Sequence, residues 1–98
     1  MAQTKYACPC CGYTTLDEKP PGTFEICPIC FWEDDNVQFD DPDFEGGANE
    51  VSLRQAQENF LMFGASEDRR MSYVRKPAED DVFEGARDLS NIGLYPIK

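Results

Sequence analysis

The chain is 98 residues long and has 19 acidic against 9 basic residues, a net charge of −10, five cysteines and no histidine. This length allows one domain of the usual ~100–200 residues and is too short for a barrel enzyme or a doubly wound nucleotide-binding fold. The charge repels phosphate backbones and anionic membranes, and the missing histidine excludes acid–base, nucleophilic and metal chemistry that depends on an imidazole.

Nothing in the sequence predicts a membrane segment or a secretory signal. The longest apolar runs, such as residues 60–63, are far shorter than the ~18 residues needed to span a bilayer. The start of the chain lacks a basic stretch followed by a hydrophobic one. We therefore expect a cytoplasmic protein that avoids membranes and nucleic acid and favours a basic protein partner.

Four of the five cysteines form two Cys-x-x-Cys pairs. Cys8 and Cys11 make the first pair, Cys27 and Cys30 make the second, and 15 residues separate the two. Two residues between ligands let the chain turn so that both sulfurs reach one ion, and a proline after the first cysteine of each pair restricts the backbone there. The pattern predicts a closed site in which four thiolates hold one Zn²⁺ at about 2.3 Å.

Two other uses of the four thiolates stay open. Iron in a rubredoxin-like site is less favoured, although tetrahedral sulfur also suits iron. A disulfide pair or a thioredoxin-like redox site lacks the secretory or βαβ context that each requires. The fifth cysteine, Cys10, is interpreted first as a small side chain on the back of the turn, and otherwise as an alternative ligand or a reactive thiol beside the metal.

The residues between the cysteine pairs predict a β-hairpin. Segments 13–16 and 23–26 are rich in β-branched and aromatic residues, and segment 17–22 has strong turn chemistry. We expect these segments to pair with each other and residues 31–32 to form a third strand. The predicted fold is a small α+β module, a zinc-ribbon or rubredoxin-like hairpin with two Cys-x-x-Cys turns and a C-terminal helical extension.

The cysteine motifs also carry a resemblance. Segment 6–13 reads YACPCCGY, segment 20–22 reads PPG, and segment 26–35 reads ICPICFWEDD. With further matches up to Gly64, these segments resemble the CPCC family of cysteine-rich bacterial proteins. The resemblance implies a small zinc-binding domain with Cys8, Cys11, Cys27 and Cys30 in the two turns, and it supplies no reaction.

The chain next becomes acidic. Residues 33–50 contain eight carboxylates and no lysine or arginine, which is typical of a solvated loop. A second interpretation is a surface for a basic protein, in which aromatic side chains supply buried area and charges set association rate and register. The candidate partner-binding residues are Trp32, Asp34, Asp35, Phe39, Asp40, Asp41, Asp43, Phe44 and Glu45.

A helix follows the acidic segment. Ser52 and Gln55 have the spacing of a capping box, and Gly64 is a typical C-terminal cap. We expect the helix to pack on the ribbon near Trp32 and to leave Asn59 in solvent. Its apolar stripe consists of Leu53, Ala56, Phe60 and Phe63.

The last third of the sequence gives weaker signals. Arg69, Arg70, Arg75 and Lys76 are expected to lie on or beside a short helix and to neutralise the acidic segment. Pro77 and the carboxylates after it predict another helix start over 77–83. The predicted single domain thus comprises a ribbon (5–35), an acidic loop (36–50), a helical extension (52–90) and a tail (91–98) whose apolar residues suit docking on the domain or on a partner.

These features predict a binding module and not an enzyme. The metal site is closed, and no catalytic constellation is recognisable. One alternative is an inhibitor or immunity-type protein that neutralises a basic nuclease or toxin. The other alternative is a thiol or metal redox protein, which is suggested by the position of Cys10 next to the predicted metal ligands.

Overall fold

A computed structural model describes residues 5–85 of the chain. It is a small α+β fold, the class expected from the sequence. None of the helices in this part of the chain is long and apolar enough to cross a membrane. The elements are β1 (Tyr6–Ala7), β2 (Thr14–Leu16), α1 (Asn36–Asp40), α2 (Leu53–Phe63) and a 3-10 helix (Asp68–Tyr73).

The first cysteine pair lies in the turn of its own hairpin. β1 and β2 are antiparallel, with Tyr6 opposite Leu16. The Gly12 amide donates to the Cys8 carbonyl at 2.8 Å, and Gly12 has φ 84, a conformation that glycine adopts without steric cost. The predicted pairing of segment 13–16 with segment 23–26 is therefore wrong, since β2 pairs with the chain that precedes the turn.

The second cysteine pair repeats this arrangement. Ile26 forms an antiparallel bridge with Glu33, and the Phe31 amide donates to the Cys27 carbonyl at 2.8 Å. Phe31 occupies the place that Gly12 has in the first turn and has φ 70. The expected third strand at residues 31–32 is thus the return arm of a second short hairpin.

Helix α2 begins and ends where the sequence predicts. The Ser52 side chain accepts from the Gln55 amide at 3.1 Å, and Gly64 ends the helix in the left-handed conformation. Asn59, expected in solvent, is buried and donates to the Ser66 carbonyl at 2.9 Å. That prediction is wrong because the chain after Gly64 folds back over this side of the helix.

A single core joins the hairpins to α2, as expected. It combines sulfur, aliphatic and indole side chains, and Phe60 packs against it from the helix. Its buried members are Cys8, Cys10, Cys11, Leu16, Cys27, Ile29, Cys30, Trp32, Leu53 and Ala56.

The segment after the 3-10 helix differs from its prediction. Instead of a helix starting at Pro77, a turn is closed by the Asp81 amide donating to the Ala78 carbonyl at 3.0 Å. The next residues extend along the first hairpin, and the Thr14 amide donates to the Val82 carbonyl at 2.8 Å. The end of the predicted helical extension and the predicted tail 91–98 lie outside the described residues.

Candidate metal centre

The two hairpin turns bring four sulfurs together in the core. Sγ of Cys8 lies 3.6 Å from Sγ of Cys30, and Sγ of Cys11 lies 3.6 Å from Sγ of Cys27. All four sulfurs lie within 4.8 Å of one another. Ligands about 2.3 Å from a tetrahedral metal lie about 3.8 Å apart. The cluster therefore has the size of a four-thiolate metal site.

The cluster is fully enclosed. The four cysteines have no exposed surface, and all five cysteines of the chain are free. Cys27 receives two donors from the protein: the Thr15 hydroxyl at 3.1 Å and the Ile29 amide at 3.4 Å. Such donors stabilise negative charge on sulfur and orient the ligand. The arrangement leaves no side open to a substrate.

The four thiols cannot all ionise without a cation. Burial raises the pKa of Cys8 and of Cys30 well above the ordinary value for a thiol. Hydrogen bonding between Cys11 and Cys27 raises the pKa of Cys11 and lowers the pKa of Cys27. Burial and the neighbouring thiols therefore oppose ionisation of most of the ligands, so a metal that binds them would displace protons.

Cys10 is buried but lies outside the group of four sulfurs. It belongs to the turn between Cys8 and Cys11. Burial is the main cause of the raised pKa of Cys30, and a hydrogen bond with the Cys10 side chain is the next. The structure thus places Cys10 against the cluster and not within it.

The helical extension holds both cysteine turns in place. From α2, the Gln57 amide group donates to the Pro9 carbonyl at 2.7 Å. From the chain after α2, the Ser66 amide donates to the Cys30 carbonyl at 2.7 Å, and the Arg75 amide donates to the Pro28 carbonyl at 3.1 Å. Sequence reasoning missed these supports, because a polar residue on a helix gives no signal of its distant partner.

The comparison with protein families agrees with this centre. The family model for cysteine-rich CPCC proteins matches residues 6–81, more than three quarters of the chain. The chain belongs to the cysteine-rich CPCC family. No curated protein matches it significantly. The matched region contains both cysteine pairs, α1, α2 and the 3-10 helix.

Part of the partner surface predicted for this CPCC domain is interior. Trp32 is 1% exposed, Asp34 0% and Asp35 6%. Trp32 belongs to the core, and Asp34 accepts from the Thr23 amide at 2.9 Å. These three residues are therefore corrected from surface to structural positions.

Asp35 has a specific structural role. Its carboxylate caps α1 by accepting from the Val37 amide at 2.7 Å, and its other oxygen accepts from the Ala48 amide at 2.8 Å. The first residues of the predicted acidic loop are helical for this reason. One carboxylate thus ties the start of the acidic segment to its end.

Gln38 organises the rest of this segment from within. It is fully buried, and its amide nitrogen donates to the carbonyls of Phe44, Asn49 and Val51 at 3.0, 3.1 and 2.9 Å. Its oxygen accepts from the backbone and side-chain amides of Asn49 at 3.1 and 3.0 Å. The segment is a braced loop, and hydropathy alone does not reveal such a buried amide.

The remaining acidic residues face solvent beside two exposed apolar side chains, Val37 at 48% and Phe44 at 41%. Phe39 is half-buried, and Asp43 pairs with Arg54 at 2.6 Å. We define the acidic face as the exposed set Val37, Asp40, Asp41, Phe44 and Glu45.

The basic cluster contributes little to the neutralisation predicted for it. Arg69 reaches Glu50 at 3.3 Å and also pairs with Glu67 at 2.5 Å. Arg75 pairs with Asp81, outside the acidic segment, at 2.7 Å. The acidic face therefore keeps most of its charge.

Proposed function

We propose that this CPCC protein is a zinc-stabilised binding domain whose acidic face binds a basic protein. The observation that carries the proposal is the closed cluster of four buried sulfurs at tetrahedral separations. A closed four-thiolate centre stabilises a fold and offers no coordination position for a substrate. The function is then expected on the surface and not at the metal.

Zinc is the metal that we propose for the centre. It prefers four tetrahedral thiolates when its role is structural, and in zinc-finger peptides its binding contributes on the order of 10 kcal/mol to folding. A structural metal is one of the means by which small domains supplement the stability of a limited hydrophobic core. Elemental analysis of protein purified without added metal should give one zinc per chain, whereas iron would replace zinc in the analysis and colour the protein.

The acidic face supports a basic protein as the partner. Asp40, Asp41 and Glu45 are exposed in the same braced segment as Val37 and Phe44, so one short stretch of chain offers both charge and apolar contact area. Four thiolates and one Zn²⁺ add two further negative charges to the folded domain. Complementary charge accelerates encounter and selects partners of the opposite sign.

The hydrogen bonds that hold the acidic segment 33–50 in place also support a binding role. The buried amide of Gln38 and the carboxylate of Asp35 fix the backbone on which these side chains stand. A surface that is ordered before binding loses less conformational entropy when a partner arrives. The proposed interface is therefore pre-organised.

A charge-matched pair of variants tests the proposal. The face variant carries Asp40→Asn, Asp41→Asn and Glu45→Gln, and the control carries Glu18→Gln, Glu58→Gln and Glu79→Gln. Both variants lose three negative charges from exposed positions. Each is immobilised in the zinc-loaded form and exposed at low salt to cell extract, from which captured proteins are identified and then purified for affinity measurement.

We expect the wild type and the control to bind the same basic protein and the face variant to bind it at least tenfold more weakly. Phe44→Ser should weaken binding without a change of charge. Equal weakening by the face variant and the control would show a general charge effect and contradict the acidic face as the interface.

A further inference from the structure

An apolar groove shares no lining residue with the acidic face. It has a volume of about 590 Å³ and runs between the end of α2, the 3-10 helix and the second cysteine turn. Its apolar lining includes Ile29, Phe60, Phe63, Met71 and Val74. Its volume falls within the range of about 300–1,000 Å³ that is usual for ligand sites.

The groove is unfilled by the described part of the chain. Met71 lines it and remains 50% exposed, and Phe60 and Phe63 are only half-buried. An apolar groove of this kind marks a surface that another apolar segment covers. The two charged residues of its lining are Arg75 and Lys76, and Arg75 is already paired with Asp81.

We propose that the groove is the docking site of the chain's own C-terminal segment, residues 89–97. This inference is independent of the proposed function. The segment reads LSNIGLYPI and contains no charged residue, so the acidic field of the domain does not repel it. Its apolar residues are Leu89, Ile92, Leu94, Tyr95 and Ile97.

The described chain ends within reach of the groove. Arg75 lines the groove, and its guanidinium contacts the Asp81 carboxylate at 2.7 Å. Gly85 follows Asp81 by four residues, which span at most about 14 Å. The seven residues from Gly85 to Ile92 span up to about 25 Å, so the segment can turn back and reach the groove.

The covalent connection favours this occupant over a second copy. A segment that is covalently joined to its site through a short connection has an effective concentration in the millimolar range. Two chains with a net charge of −10 each repel one another at moderate salt. The chain's own segment therefore has the advantage at low protein concentration.

Methionine methyl NMR on the full-length, zinc-loaded protein tests the proposal. The chain has three methionines, of which Met71 lines the groove and Met62 does not. Met62 is 65% exposed and serves as the internal control. The test variant is Leu94→Asp, and the matched variant is Ser90→Asp, which adds the same charge at a polar position of the segment.

We expect Leu94→Asp to shift the Met71 methyl resonance and to abolish nuclear Overhauser contacts between that methyl and the isoleucine methyls of the segment. Ser90→Asp should leave both signals unchanged, and Met62 should not respond to either substitution. An unchanged Met71 signal in Leu94→Asp, or equal shifts in both variants, would overturn the proposal. A Met71 shift that depends on protein concentration would assign the groove to a second copy and would also overturn it.

Discussion

Replacement of Gln38 by glutamate tests whether the acidic segment is held by its buried amide. The change keeps the size of the side chain and removes the nitrogen that donates to three carbonyls at 2.9–3.1 Å. The nitrogen has two hydrogens, so the three contacts amount to two full bonds, and each unsatisfied buried group costs about 1–3 kcal/mol. We therefore expect Gln38→Glu to lower the free energy of unfolding by about 2–6 kcal/mol.

Urea unfolding of the zinc-loaded protein measures this loss, and hydrogen exchange at the amides of Ala48 and Asn49 locates it. The matched control is Asn36→Asp, the same change of amide to carboxylate at an exposed position of the same helix. The control should change stability by less than about 0.5 kcal/mol, as surface substitutions usually do. An equally small effect of Gln38→Glu would refute the view that this amide braces the segment.

Three further predictions concern the supports of the metal centre. Gln57→Leu removes the bond to the Pro9 carbonyl and should lower the free energy of unfolding by about 1–3 kcal/mol, measured by urea unfolding in excess zinc; an unchanged value would contradict the support. Phe31→Gly loses the contact with Arg70, whose guanidinium lies 4.7 Å from the ring centroid, but relieves the left-handed backbone. It should therefore be less destabilising than Phe31→Ala by about 1 kcal/mol, and the reverse order would show that the backbone is unstrained. Because the pKa of every ligand except Cys27 is raised, zinc must displace at least three protons at neutral pH. The apparent affinity should therefore rise with pH by about a thousandfold or more per unit, and chelator competition that gave a rise below a hundredfold would contradict the displacement of three protons.

The parts of the fold that depend on neighbouring residues could be predicted from the sequence. The cysteine spacing places two sulfurs on each turn, and the capping residues Ser52 and Gly64 act within a few positions of themselves. The stripe of α2 indicates a buried face without naming its partner. These features are local, so composition and spacing were enough to find them.

The strand pairing could not be predicted in the same way. High β-propensity in segment 13–16 indicates an extended chain but not its partner, because pairing depends on packing of distant residues. Tyr6–Ala7 is too short to stand out as a strand. Each cysteine turn instead closes its own hairpin, and its connection is as long as the predicted turn 17–22, so loop length does not decide between the two pairings.

The partner surface predicted from the sequence included buried residues for a related reason. Asp34 and Asp35 appear as members of an acidic run, yet both are buried and accept backbone hydrogen bonds. A carboxylate that caps a helix and one that faces solvent have the same letter in the sequence. Only the fold separates Asp40 and Asp41, which face solvent, from these two.

Stepwise removal of zinc, followed by ¹H–¹⁵N spectra, tests the central claim most directly. If the metal holds the fold, removal of one equivalent per chain should collapse the amide dispersion throughout the described region. That collapse should include α2, which contributes no cysteine to the site. A spectrum that kept its dispersion after complete removal of the metal at neutral pH would contradict the account.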